Sequence, residues 1–234
     1  MINSSLFISL FAAHLVGDFY LQTDSLCQQK ADKKAKSWFL YLHTFVMAAL
    51  SWLVVFQSDF LGCFVLIFFS HGLIDLIKSC LPSNLWAFIL DQLLHLSVLA
   101  GISAYYDPVA PIPLDMLPVV IRDGFILLAS LALCCKPANI LIKLVLKNYA
   151  IGEGQTCEAI KNAGALIGNL ERILTVIFVL IGQYEAVGFI IAAKSILRFK
   201  DTDTAKTEYV LAGTFLSFGI AIVTGLLIDR WLFS

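Results

Sequence analysis

Charge is scarce in this chain. Of its 234 residues only 14% are Asp, Glu, Lys or Arg, whereas 59% are hydrophobic and the mean hydropathy is +0.86. Soluble domains carry about a quarter charged residues, so this balance excludes a water-soluble globular fold and indicates an integral membrane protein. The net charge of -1 leaves no basic footprint for nucleic acid, and none is expected as a partner. The six cysteines, Cys27, Cys63, Cys80, Cys134, Cys135 and Cys157, never fall in a CxxC spacing, so they read as reduced thiols and not as a disulfide framework or a zinc knuckle. HExxH, GxSxG and phosphate-binding-loop patterns are absent, which removes the usual support for zinc proteases, serine hydrolases and P-loop enzymes. The six prolines lie in loops or near the ends of apolar runs, so signals of broken helices are few.

What remains is a series of long apolar runs, at roughly 3–21, 39–57, 60–79, 86–104, 116–133, 163–182, 184–199 and 208–229. Most approach the ~20 residues needed to cross the hydrocarbon core. The expected fold is an all-α polytopic bundle of about eight spans, or seven if the short run containing Lys194 is re-entrant. The first run lacks a basic leader and a cleavage pattern, and it is retained as a spanning helix. Two regions are expected: a His/Asp-rich four-span bundle over 1–110, and the remaining spans over 111–234. Within the second, residues 138–148 read as an interfacial amphipathic helix between Lys136 and Lys147.

Lys and Arg follow the odd-numbered runs (Lys30, Lys33, Lys34 and Lys36; Lys78; Lys136 to Lys161; Arg198, Lys200 and Lys206) and are missing from the loops after runs two, four and six. The positive-inside rule then sets the odd loops in the cytoplasm and both termini outside. Lipids are the expected surroundings, with an anionic head group near Lys194 and Arg198. A homodimer is expected only from the frequency of twofold assemblies.

Histidine occurs four times, always inside the first four runs: AAHLVGD (His14, Asp18), YLHTF (His43), SHGLID (His71, Asp75) and DQLLH (Asp91, His95). In three runs a His and an Asp stand four apart, one helical turn on one face. With the orientation above, all fall ~5–15 Å below the cytoplasmic surface at 1.5 Å per residue. A membrane-buried Asp costs about 2.5–3.5 kcal/mol on insertion scales, and a partner or a bound cation must offset that. Imidazole with carboxylate suits a divalent transition metal, zinc or manganese, one or two ions, better than calcium. The expected ligands are His14, Asp18, His71, Asp75, Asp91 and His95. His43 is a further ligand or a general acid, and Asp91 or Asp18 is a base toward bound water. Interhelical hydrogen bonding by the same residues is the structural alternative. HLVGD and HGLID also form a weak repeat, and Gly17 and Gly72 beside the pairs would admit a close neighbour. Gln22 and Asp24 at the mouth of run one would gate the site or simply cap a helix.

The later runs carry GNLERILT, with Arg172 beside Glu171, and GQYEAVGFIIAAKSILRF, with Lys194. Arg172 and Lys194 are expected to neutralise a substrate anion. A metal-dependent hydrolase at the cytoplasmic leaflet, acting on a lipid-linked phosphoester, is the favoured function. A proton- or cation-coupled transporter or channel and a scaffold subunit of a larger complex are the alternatives.

FAAHLVGDFYLQTD, SHGLIDLIK and DQLLHL, with GNLERILT and GQYEAVGFIIAAKSILRF, resemble a bacterial inner-membrane family, domain of unknown function 3307. The resemblance implies residence in the bacterial inner membrane and brings no activity with it. The His/Asp arrangement is also similar, in residue types alone, to membrane-bound metal-dependent hydrolases.

Overall fold

The computed structural model describes residues 2–148, 158–198 and 204–232. The described residues are helical throughout their regular structure. In order they form α1 (Ser4–Leu15), a π-helical turn (Val16–Tyr20), α2 (Asp24–Lys33), α3 (Trp38–Val55), α4 (Leu61–Cys80), α5 (Leu85–Tyr105) and the short α6 (Pro113–Met116). These are followed by α7 (Val119–Cys134), α8 (Lys136–Asn148), α9 (Glu158–Leu180), α10 (Tyr184–Arg198) and α11 (Thr204–Leu232). Helix starts are set by short polar side chains that accept from orphan amides. Asn3 caps α1 through the Leu6 amide, Thr23 caps α2 through that of Leu26, and Asn84 caps α5 through that of Ala87.

Five helices among the described residues are long and apolar enough to cross a membrane: Trp38–Val55, Ser58–Cys80, Leu85–Tyr105, Val119–Lys147 and Val210–Trp231. A sixth arises if Ser4–Tyr20 and Asp24–Lys36, which meet at 87°, are one broken span. The chain is an all-α, multi-pass membrane-like bundle. The expected count of eight departs from this in identifiable places. Run one ends in the π turn and the sharp bend. α10 has 15 residues, ~22 Å at 1.5 Å per residue, and falls short of a ~30 Å core. α9 starts beside residues outside the described set, as do Cys157, Lys200 and the side chains of Lys161, Arg198 and Lys206. The segment expected to lie apart as an interfacial helix is α8, which continues α7 end to end in the Val119–Lys147 span. No disulfide links the cysteines among the described residues.

The chain divides into two compact units, Met1–Phe125 and Ile126–Ser234. In the first, α1, α3, α4 and α5 form a four-helix bundle, in which α3 packs on α1 and α4, and α5 on α1 and α4. Its apolar core gathers at one end of these helices, from Leu6, Leu10, Ala48, Val55, Phe60, Ile67, Leu99 and Ile102, with Ile112 and Leu114 closing it. The ionisable residues of the same helices occupy the other end. Close approach is made by glycine: a Cβ on Gly17 would lie 2.0 Å from Met47 Sδ, and one on Gly72 would lie 3.0 Å from Thr44 Cγ2. Both neighbours belong to α3, so the two glycines let that helix seat against α4 and the π turn, as the sequence suggested. The repeat suggested by HLVGD and HGLID has no geometric counterpart, since Asp18 sits in a π turn and Asp75 in unbroken α-helix.

In the second unit α11 packs on α9 and α8, and α10 on α9. Its core includes Cys134, Val176, Ala221 and Ile228, with Val179, Val187 and Phe218 beside them. Gly225 brings α11 to α9, where a Cβ would lie 2.8 Å from Val179.

Candidate metal centre

Four helices and the π turn bring all four histidines and three aspartates of the first unit together. His14 ends α1. Asp18 is carried by the π turn, closed by the Leu21 amide to the Val16 carbonyl at 3.0 Å. The wider i to i+5 turn alters the angle at which Asp18 leaves the helix axis relative to an α-helical position, a feature common at functional sites. Asp18 consequently sits nearer to other helices than to its own partner, with Oδ1 3.1 Å from His43 Nε2 and 3.3 Å from His71 Nε2, while Oδ2 is 3.7 Å from His14 Nε2.

The core of the site is the triangle Asp18, His43 and His71. The two Nε2 atoms are 3.0 Å apart. Gln22 Nε2 stands 2.8 Å from His43 Nε2. One ring nitrogen carries either one hydrogen or one lone pair, so His43 Nε2 cannot satisfy an amide, an imidazole and a carboxylate together. The three separations of the triangle match the edges of a coordination polyhedron, which are about 3.3 Å for a tetrahedral ion with bonds of 2.0–2.1 Å. The donor set could therefore hold a metal ion.

Around this triangle lie two further groupings whose ligand atoms fall within 4.8 Å of one another, His14 with His71 and His95, and Asp75 with Asp91 and His95. Asp75 Oδ2 is 3.7 Å from His43 Nε2 and 3.8 Å from His71 Nε2, the next carboxylate beyond the triangle. Asp91 Oδ1 and His95 Nε2, 3.5 Å apart, are buried and lack a hydrogen-bond partner. Such orphaned groups are costly without a further ligand. His14, His43, His71, Asp91 and His95 are each 3% exposed and Asp75 2%, so water reaches the ensemble poorly. A small cavity adjoins it on the side of the apolar core, lined by His14, His71 and His95 with Met47, Ser51 and Ser70.

Two lysines enter the site that the sequence reading treated only as orientation signals. Lys30 Nζ donates to Asp75 Oδ2 at 2.6 Å, and Lys78 Nζ to Asp91 Oδ2 at 2.5 Å. Three carboxylates against two ammoniums leave one negative charge when the imidazoles are neutral. Among the described residues no lysine donates a hydrogen bond to Asp18, His43 or His71. Lys78 was findable, because it lies three residues after Asp75 and seven after His71 on one face of α4. Lys30 had no local signal. Gln22 was weighed as a cap, yet Thr23 supplies the cap and the buried Gln22 turns inward. It approaches Asp18 Oδ1 at 3.5 Å and accepts from Lys30 at 3.2 Å. Gln92 donates to Asp91 Oδ2 at 3.0 Å and meets His14 Nε2 at 3.5 Å.

Arg172 and Lys194 belong to the second unit, and their donors are engaged there. The buried Arg172 guanidinium donates to the Cys134 carbonyl, to Ser217 Oγ at 2.7 Å, to Asn139 Oδ1 at 2.5 Å and to Asn169 Oδ1 at 2.8 Å. It ties α7, α8, α9 and α11 together. Lys194 Nζ pairs with Glu171 Oε2 at 2.5 Å.

No curated protein and no solved structure matches the chain. Residues 6–115, which hold every residue of the His/Asp ensemble, match the family model described as "Protein of unknown function (DUF3307)".

Proposed function

We propose that the first unit is a membrane-embedded divalent-metal centre, and that the chain is a metal-dependent hydrolase acting near the cytoplasmic leaflet on a lipid-linked phosphoester or similar amphiphile. The observation that carries the reading is the lysine-free triangle of Asp18 Oδ1, His43 Nε2 and His71 Nε2, with edges of 3.0 to 3.3 Å. Zinc or manganese suits these donors. Three protein ligands leave a position for water, whose pKa a zinc ion lowers toward neutrality. Asp91, whose Oδ1 stands 3.5 Å from His95 Nε2, or Asp18 would take a proton from bound water, and Gln22 would orient His43. Arg172 and Lys194 we assign to holding the second unit together, because binding a substrate anion would require breaking bonds they already make. Orientation follows the lysine-rich loops, with Lys33 and its neighbours at the cytoplasmic face of a bacterial inner membrane and both termini outside.

A second reading, a proton- or cation-coupled carrier, draws on the enclosure of the site: an ion held at 2–3% exposure is occluded as a transported ion must be. Metal content separates the two. Purified protein washed free of loose ions should retain roughly stoichiometric transition metal and release phosphate from a lipid phosphoester in vesicles. Asp18→Asn and His71→Ala should lose both. Wild type without metal, or with metal unaffected by these changes, would move the assignment to the carrier.

A further inference from the structure

We infer that Lys30 is a tethered cation that occupies the fourth ligand of the metal centre, and that α2 is the lid it latches. The inference rests on the metal reading above and concerns the regulation of that site.

α2 (Asp24–Lys33) is a polar helix. Of its ten residues only Lys30 is buried. Its ammonium donates at 2.6 Å to Asp75 Oδ2 and at 3.2 Å to Gln22 Oε1, and the same Gln22 amide group reaches His43 Nε2 at 2.8 Å. Lys30 is thus the one charged side chain that α2 buries in the bundle, beside the half-buried Leu26 and Gln29 and the Cys27 thiol, which donates to Gln22 Oε1 at 3.3 Å, and its head lies against a metal-ligand candidate. Asp75 Oδ2 is 3.7 and 3.8 Å from the two imidazole nitrogens of the triangle, the nearest further carboxylate, able to join the three ligands and a water in a five-coordinate set. While Lys30 holds that oxygen, a divalent ion beside it meets an ammonium of like sign at short range, and the two cations exclude each other.

Both ends of α2 are built to turn. The chain bends by 87° where it leaves the π turn, and Lys34 at the far end stands at φ 49° and ψ -127°, a conformation that L residues seldom adopt. When Asp75 passes to the ion, α2 loses its one buried anchor and swings outward, which opens the cytoplasmic end of the site. Lys78 on Asp91 has no such lever, since it sits within α4 itself and its side chain is 39% exposed.

The test uses the full chain in detergent or nanodiscs, zinc alone as probe, and hydrogen exchange of residues 24–33 beside binding isotherms. In wild type, zinc should speed exchange across 24–33. Lys30→Met should bind zinc at least tenfold more tightly, with 24–33 exchanging fast before zinc is added, whereas Lys30→Arg should stay near wild type. Should Lys30→Met fail to fold, Asp75→Asn provides the same reading, because it should free 24–33 without metal. Equal zinc affinity in wild type and Lys30→Met, with exchange indifferent to zinc, overturns the latch and leaves the metal centre standing. Zinc bound by neither overturns both.

Discussion

His43 Nε2 and His71 Nε2 face each other at 3.0 Å, from two different helices, across a gap that holds at most one proton. Asp18 Oδ1 completes the triangle from a third element. If this is the metal triangle, its members should not be equivalent to the outlying histidine. His71→Ala should lower bound metal more than tenfold, and His14→Ala, whose Nε2 is 3.7 Å from Asp18 and 3.5 Å from Gln92, only severalfold. Elemental analysis of the two purified variants checks the order, and an equal loss would count against the triangle.

Gly17 makes a steric prediction. A methyl there meets Met47 Sδ at 2.0 Å, so the buried Met47 side chain must shift. Gly17→Ala should destabilise the first unit by about 1–3 kcal/mol, the range for overpacking a filled core. Adding Met47→Ala should recover part of it. Thermal unfolding of the single and double variants in detergent measures the recovery, and additive losses would mean that the two residues do not compete for one space.

Arg172 predicts a separation of stability from function. Arg172→Met keeps an unbranched apolar stem but leaves Asn139 Oδ1, Ser217 Oγ and the Cys134 carbonyl without the arginine donor, while Asn169 Oδ1 still accepts from Asn139 Nδ2 at 2.9 Å. A loss of about 1–3 kcal/mol for each acceptor left unsatisfied, reduced where side chains re-pair, is expected in unfolding experiments. Metal content per folded molecule should not change. A variant that folds normally but loses phosphoester hydrolysis would restore Arg172 to the reaction.

Topology is open to labelling. Because α3 crosses between them, single cysteines placed at Lys33 and at Asp59 in a cysteine-free background should label from opposite sides, with the Lys33 position protected in intact cells. Protection of Asp59 instead would invert the orientation, and labelling of both from one side would remove α3 as a span.

Some of this was written along the chain. Apolar runs of membrane length, polar residues four apart on three of them, and glycines beside two of the pairs are local properties, and period and length report them directly. His14, Asp18, His43, His71, Asp75, Asp91 and His95 were therefore recognised together before any contact was known. Their common depth followed from counting residues from the ends of the helices.

Other features depend on contacts between segments distant in sequence, and only the tertiary structure decided them. The π turn that aims Asp18 at α3 and α4 leaves no mark in VGDFY, because one extra residue per turn is stabilised by what packs around it. Lys30 and Lys78 read as cytoplasmic anchors, since a lysine beside a membrane span looks the same whether it snorkels to water or turns inward to a carboxylate. Arg172 looked available for a substrate because its acceptors are scattered over 83 positions, from Cys134 to Ser217. Whether a buried charge is free or fully bonded is settled by which helices lie next to it, and sequence spacing within one helix carries no information about that.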